Sequence, residues 1–132
     1  VEVPLRVTPR VPGLQLRTIE TPGQPTIFEL TDDTGVKVQT YADPGEPGFN
    51  ELHVTLFDPA GAELATPSIT VTAYDPDGAA QALEPRRFSS GHFIVDAQLT
   101  AGRWTFAISA MIDGGRSFDA IVETSIPTEG PS

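Results

Sequence analysis

Two histidines and a single methionine are the residues of this chain whose types suit them to bind a transition metal: His53, His92 and Met111. Each lies in a run where apolar and polar residues alternate, at a position of the polar set. Copper binds imidazole and, as Cu(I), soft sulfur as well. The three residues are therefore candidate copper ligands. The alternative is that both histidines are ordinary solvent-facing strand residues, because no His-x-His pair or methionine-rich run brings the three together.

Closely spaced aspartates suggest calcium as a second candidate ion. Asp32 and Asp33 stand in TDDTG, and Asp75 and Asp77 stand in YDPDG. Hard Ca²⁺ prefers such oxygen donors, but neither stretch continues to the distant glutamate of an EF-hand loop. Both stretches are more typical of turns, in which the aspartate accepts backbone N–H groups.

The sequence does not predict catalysis. Ser89 and Ser90 are near His92 along the chain, but neighbouring strand residues point to opposite faces, so this nearness does not define a nucleophile and its base. Gly114 and Gly115 are expected to form a hairpin turn rather than a phosphate-binding loop, because no strand-to-helix context follows them. We therefore expect a protein that is not an enzyme and has no cofactor, and copper is the alternative to this expectation.

Charge and composition narrow the classes of partner. The 132 residues carry a formal net charge of −10, include one lysine (Lys37), and contain no cysteine. Such a chain has no basic patch for a phosphate backbone, so nucleic acid is not expected as a partner. It also lacks an apolar stretch of the ~20 residues that a membrane helix needs, so direct insertion of this segment into a membrane is not expected either.

Seven alternating runs predict an all-β fold. They cover residues 26–30, 35–42, 50–57, 68–74, 91–99, 103–112 and 117–126. Turn sequences that begin with Asp-Pro separate several of them, at residues 43–46, 58–61 and 75–78. Residues 78–87 are expected to form a turn or a weak strand. Seven to eight short strands with such turns predict a Greek-key β-sandwich of the immunoglobulin or fibronectin kind.

The period of two assigns the core. The predicted inward-facing residues are Leu52, Val54, Leu56, Ile69, Val71, Ala73, Phe93, Val95, Ala97, Leu99, Trp104, Phe106, Ile108, Ala110 and Ile112. Trp104 is expected to be the central aromatic residue, with its indole N–H paired to an acceptor. Exposed aromatic residues would instead support adhesion or carbohydrate binding, and the candidates for that alternative are Tyr41, Phe49, Phe57 and Tyr74.

We expect one folded domain, over residues 27–127. Residues 1–26 carry five prolines and no sustained period, which predicts an extended lead-in, and residues 128–132 are typical of a tail. The first residue is Val1 rather than methionine, so we expect the chain to be a processed or excised piece.

From about residue 35 to residue 126, the order of these features resembles a known family. The segments are GVKVQTYADPGEPGFNELHVTLFDPAGAEL, SITVTAYDPDG, SSGHFIVDAQLTAGRWTFAIS and GGRSFDAIVETSI. They are similar to the C-terminal extracytoplasmic domain of bacterial copper-resistance D-type (CopD/YcnJ-like) membrane proteins, related to the YtkA/FixH-like β-sandwiches. The resemblance implies a non-enzymatic module outside the cytoplasmic membrane, tethered through a membrane domain not in this chain and acting in structure or in docking to that domain or another protein. The resemblance assigns no residue of this chain as a metal ligand. Direct copper binding by His53, His92 and Met111 is therefore the alternative function.

Overall fold

Alternating runs of the sequence form the strands of the protein. The computed structural model describes residues 14–112 and 116–128, and these contain strands and turns but no helix. The strands are β1 (Gln15–Ile19), β2 (Ile27–Thr31), β3 (Lys37–Asp43), β4 (Gly48–Phe57), β5 (Ser68–Tyr74), β6 (Ala80–Leu83), β7 (Pro85–Ser89), β8 (His92–Leu99), β9 (Gly102–Ile112) and β10 (Arg116–Ile126). In this part of the chain, accordingly, no helix has the length and apolarity needed to cross a membrane.

The strands form two sheets in which all hydrogen-bonded neighbours are antiparallel. The larger sheet has six strands in the order β1-β2-β3-β4-β8-β7, and the smaller sheet has four in the order β10-β9-β5-β6. One face of each sheet is apolar, and burial of these two faces gives a β-sandwich.

The predicted core is confirmed at all fifteen positions named above, which are all buried. They pack in one cluster with further buried residues from β2, β3 and β10, such as Leu30, Val38 and Phe118. Trp104 is 5% exposed, and its Nε1–H donates to the carbonyl oxygen of Thr100 at 2.8 Å. Burial of each large apolar side chain contributes about 1.5–3 kcal/mol, so this core is the main source of stability.

The sheet begins earlier than the predicted boundary at residue 27. Residues 15–19, inside the predicted lead-in, form β1 and pair with β2. Arg17 on β1 donates from Nε to Oε1 of the buried Glu29 at 3.0 Å, and Gln39 on β3 donates to Oε2 at 2.8 Å. The five prolines elsewhere in residues 1–26 concealed this edge strand, although QLRTI itself contains no proline. Residues 1–13, the predicted hairpin turn at Gly114 and Gly115, and residues 129–132 of the predicted tail lie outside the described residues.

Residues 78–87 contribute to two strands rather than to one turn or weak strand. β6 pairs with β5 in the smaller sheet, whereas β7 pairs with β8 in the larger one. The chain therefore crosses between sheets at Glu84. With β1, this gives ten strands in the described residues instead of seven or eight.

The Asp-Pro turns are held by carboxylate oxygens at two of their three predicted places. Asp58 Oδ1 accepts the backbone N–H groups of Ala60 and Ala62, each at 2.9 Å. Asp75 makes the same pair of bonds in the next turn. At residues 43–46 the corresponding acceptor is instead Asn50, whose buried side chain accepts from the Gly45 N–H at 2.6 Å.

Candidate functional site

The two histidines lie on the outer face of the larger sheet, on adjacent strands. His53 on β4 is opposite Ile94 on β8, and His92 is opposite Thr55. Residues two apart on a strand share a face, so the histidines are diagonal neighbours on the side that faces away from the core. This outward placement matches the parity predicted from the sequence.

The imidazole rings are in direct contact. Nδ1 of His53 lies 3.0 Å from Nε2 of His92, which is hydrogen-bond distance. In a hydrogen bond at this distance, one of the two nitrogens carries a proton and the other accepts it, and the tautomer of each ring sets which one donates. We name His53 and His92 the imidazole pair.

Two aromatic rings flank the imidazole pair and extend it into a row across four strands. Tyr41 on β3 stacks on His53 with ring centroids 4.6 Å apart and planes 4° apart. Phe88 on β7 contacts His92 at 4.8 Å with a tilt of 55°. The register of β7 shifts between Arg87 and Ser89, and this bulge contains Phe88. The row shields the pair from water, so that only 14% of the His53 side chain is exposed.

A carboxylate lies beside the His53 ring of the pair. Glu51 Oε1 is 3.6 Å from His53 Nε2, the ring nitrogen that points away from His92. Arg86 holds Glu51 at 3.3 Å and Asp96 at 2.9 Å. A carboxylate near Nε2 favours a proton on that nitrogen, and this tautomer leaves Nδ1 of His53 free to accept a proton or a metal ion.

The pKa of His92 is lowered. Burial of the His92 ring disfavours the imidazolium, and repulsion from His53 lowers the pKa further, while Glu63 acts in the opposite direction. His92 is therefore held in the neutral form, which is the form that ligates metals.

Glu63 braces the hairpin that carries His92. Its Oε2 accepts from Ser89 Oγ at 2.7 Å, from Ser90 Oγ at 3.1 Å and from the Gly91 N–H at 2.6 Å. The hydrogen bonds from Ser89 and Gly91 are the main reason that the pKa of Glu63 is lowered. Both serine hydroxyls thus serve the hairpin as donors to Glu63.

Met111 is remote from the imidazole pair. It lies on β9 of the smaller sheet, opposite Ser68 on β5, and it is 42% exposed on the outer face of that sheet. The core separates this face from the face that carries His53 and His92. The predicted three-residue copper set is therefore reduced to its two histidines.

The acidic stretches considered for calcium form turns. Asp32 Oδ1 accepts the backbone N–H groups of Thr34 at 2.9 Å and Val36 at 3.0 Å, as Asp75 does in its own turn. In residues 14–112 and 116–128, no group of three or more His, Cys, Asp or Glu side chains is arranged to hold a metal ion. The geometry of these stretches is that of aspartate-capped turns.

The aromatic candidates for carbohydrate binding are dispersed. Tyr41 is stacked on His53, and Phe49 is 54% exposed farther along the same face. Tyr74 is 38% exposed on the outer face of the other sheet. The aromatic platform that the structure does form is the row of Tyr41, the imidazole pair and Phe88.

Both histidines were predicted from the sequence as site residues, but their neighbours Tyr41, Phe88 and Glu51 were not. Tyr41 and Glu51 have the same outward parity as His53, and this is the signal that could have placed them on one face. Phe88 was not predictable in this way, because the bulge that contains it breaks the period of two.

The fold and the site together define a class: an all-β domain of two antiparallel sheets with an aromatic-flanked imidazole pair on one outer face. No family model matches the chain, and no curated protein matches it. Among solved structures, it is similar to a DUF4785 family protein from Legionella pneumophila, at 14% identity and a TM-score of 0.59. The alignment covers 81% of this chain and 32% of that one, so the chain spans about a third of the length of this neighbour.

Proposed function

We propose that this domain is a non-enzymatic module that binds copper through His53 and His92 on the outer face of its larger sheet. The observation that carries the proposal is the 3.0 Å contact between Nδ1 of His53 and Nε2 of His92. Two nitrogens at this separation both reach one metal ion at about 2.0–2.1 Å, with an angle at the metal of roughly 95°. Copper accepts imidazole ligands readily, and the resemblance to copper-resistance proteins favours copper over other ions.

The chemistry around the pair supports metal binding. The two lone pairs become available when the protons are on the far nitrogens, and Glu51 beside His53 Nε2 favours that arrangement for one ring. The lowered pKa of His92, caused by burial and by His53, favours neutral imidazole. To free both facing lone pairs, the ring that donates the shared proton must lose it from that nitrogen and take up a proton on its other nitrogen. The metal ion binds neutral imidazole, so binding is expected to be weaker at acidic pH.

We further propose an immunoglobulin-like Greek-key arrangement of the strands. In support, the order β3-β4-β8-β7 in the larger sheet corresponds to strands A-B-E-D of an immunoglobulin domain. The order β6-β5-β9-β10 in the smaller sheet corresponds to one added strand followed by strands C-F-G. β1 and β2 extend the first of these sheets.

We also propose that the domain is an extracytoplasmic part of a membrane protein linked to copper transport or resistance. Its partner is then its own membrane domain or another protein, and nucleic acid is disfavoured by a net charge of −10. The resemblance over residues 35–126 supports this placement. A reading frame that encodes hydrophobic helices next to this domain is the expected result, and an isolated secreted domain would contradict the tether.

A copper titration tests the binding proposal. Cu(I) affinity is measured anaerobically by competition with a chromogenic chelator, for the wild type and for His53→Gln, His92→Gln and Met111→Leu. Each histidine variant is expected to lose at least about tenfold in affinity, since even outer partners of a metal ligand are worth 10–100-fold. Met111→Leu serves as the matched control and is expected to bind as the wild type does. Equal affinity in all four proteins, or binding of Zn²⁺ without copper, would overturn the proposal.

A further inference from the structure

A cavity of about 240 Å³ opens between the two sheets at one end of the sandwich. It is bordered by β2, β3 and β4 of the larger sheet, by β9 and β10 of the smaller sheet, and by Pro127, which follows β10. Buried apolar side chains form much of its wall, namely those of Phe28, Leu52, Phe106, Val122 and Ile126. Gln24, Pro44 and Pro127 are its exposed lining residues. The cavity is therefore largely apolar, with threonine and serine residues in its wall, and the buried part of its wall lies on the inner faces of the sheets.

Thr40 places an unpartnered hydroxyl group at this cavity. The residue is 1% exposed and lines the cavity, with its side chain on the inward-facing side of β3 between Val38 and Ala42. In the described part of the chain, its Oγ1 is the one buried side-chain oxygen or nitrogen that has no hydrogen-bond partner. A buried hydroxyl without a partner loses its hydration and gains nothing in return.

Other buried polar side chains of the sandwich are satisfied by the fold itself. The hydroxyl of Thr66, 2% exposed, donates to the Leu64 carbonyl at 2.8 Å. Asn50, 0% exposed, accepts from Gly45 and donates to two backbone carbonyls. Thr40 Oγ1 differs from these in that it has no partner among the described residues, while Thr40 itself lines a cavity of molecular size. A molecule bound in the cavity could therefore supply the hydrogen-bond partner that the Thr40 hydroxyl lacks.

We infer that the cavity binds a neutral, mainly apolar small molecule whose single hydroxyl or carbonyl group hydrogen-bonds to Thr40 Oγ1. The lining residues include no charged side chain, so an ionised ligand would have no counter-charge there. An apolar cavity of about 150 Å³ is known to hold benzene, so the available volume fits one substituted ring or a branched chain of similar size. This inference is independent of copper binding, although Tyr41 borders both the cavity and the imidazole pair.

The test is a titration of the whole 132-residue chain with three probes, followed by amide NMR. Benzyl alcohol has the ring and the hydroxyl, toluene has the ring alone, and benzoate has a ring with a negative charge. Benzyl alcohol and toluene are expected to shift the amide signals of cavity residues such as Leu52, Phe106 and Val122. Benzoate is expected to shift none of them at the same concentration.

Variants of similar shape identify the group that binds the hydroxyl. Thr40→Val is expected to weaken benzyl alcohol binding roughly five- to tenfold, as loss of one hydrogen bond does, and to leave toluene binding within about twofold. Thr66→Val, the matched control, is expected to leave both affinities unchanged. Ala42→Leu adds volume at the cavity wall and is expected to abolish binding of both probes.

Two results would overturn the inference. One is an absence of shifts at the cavity residues for both uncharged probes, which would mean that the space holds only water. The other is an equal loss of benzyl alcohol and toluene affinity in Thr40→Val, which would show that the hydroxyl group of Thr40 takes no part. Neither result bears on the copper titration, so failure of this inference is distinguishable from failure of the proposed function.

Discussion

The side chains of His53 and His92 meet diagonally across β4 and β8, with Nδ1 of one ring 3.0 Å from Nε2 of the other. Thirty-nine positions separate these residues along the chain. At this distance, a charge on His53 disfavours a charge on His92, and after burial this is the second cause of the lowered pKa of His92.

The pKa of His92 is expected to rise when His53 is replaced. Burial and His53 both lower that pKa, and His53→Gln removes the second cause while it keeps a polar side chain. Imidazole NMR signals recorded between pH 4 and 8 measure the change. An unchanged or lower pKa of His92 in the variant would contradict the coupling.

The same shift makes stability depend on pH. In the unfolded chain His92 takes up its proton near its ordinary pKa of 6.5, whereas in the folded protein it does so only at lower pH. Between these two values the unfolded state binds more protons. The contribution of His92 to the free energy of unfolding is therefore fully present above pH 6.5 and is lost as the pH falls below it. Urea unfolding at a series of pH values measures this.

His92→Gln is the control for that pH series. It is expected to flatten the profile just below pH 6.5. The further decline at lower pH is expected to remain, since carboxylates such as Glu63, with a pKa lowered from 4.5 by hydrogen bonds from Ser89 and Gly91, lose their contribution there. A wild-type profile that is already flat between pH 7 and 5 would contradict the prediction.

Thr40→Val is expected to stabilise the free protein by about 1 kcal/mol, because valine has the same shape and removes a buried hydroxyl that has no partner. Thr66→Val removes a hydroxyl that is bonded to Leu64 and is expected to destabilise by about 1 kcal/mol. Urea unfolding of the two variants gives both values. The prediction is wrong if the two changes have the same sign.

Arg87→Lys is expected to destabilise the protein by about 1–2 kcal/mol. The guanidinium donates to the carbonyl oxygens of Thr66, Ser90 and Pro67 at 2.8–3.0 Å and lies 4.8 Å from the ring centroid of Phe93. A lysine ammonium cannot reproduce this planar set of contacts. Thermal unfolding measures the loss.

Arg86→Lys is the matched control on the neighbouring residue. Arg86 makes exposed ion pairs with Glu51 and Asp96, and such pairs contribute about 0–1 kcal/mol. We expect a smaller destabilisation than in Arg87→Lys, and the reverse order would contradict the assignment of these roles.

Gly91→Ala is expected to cost about 3 kcal/mol. A Cβ at this position would collide with the backbone carbonyl of Leu64, which cannot move without disturbing the hydrogen bonds of its loop. Gly61→Ala is the comparison, because there a Cβ meets open space and only the backbone angle of +92° is strained, at a cost of about 1 kcal/mol. Chemical unfolding of both variants tests the difference.

Residues near one another in the sequence determined the strands and their faces. A period of two places Leu52, Val54 and Leu56 on one side and His53 on the other, whatever the partner strand is. For this reason the core and the outward position of both histidines were predictable. The edge strand β1 was not, because its short sequence has no regular alternation of burial and depends on pairing with β2.

Tertiary structure alone decided which outward-facing side chains meet. The contact of His53 with His92 depends on β4 lying beside β8 in one register, and the separation of Met111 depends on β9 belonging to the other sheet. The cavity at Thr40 likewise results from the way the two sheets close at one end. Strand order and register arise from the packing of the whole core, so side-chain periodicity specifies the face of a residue but not its neighbours.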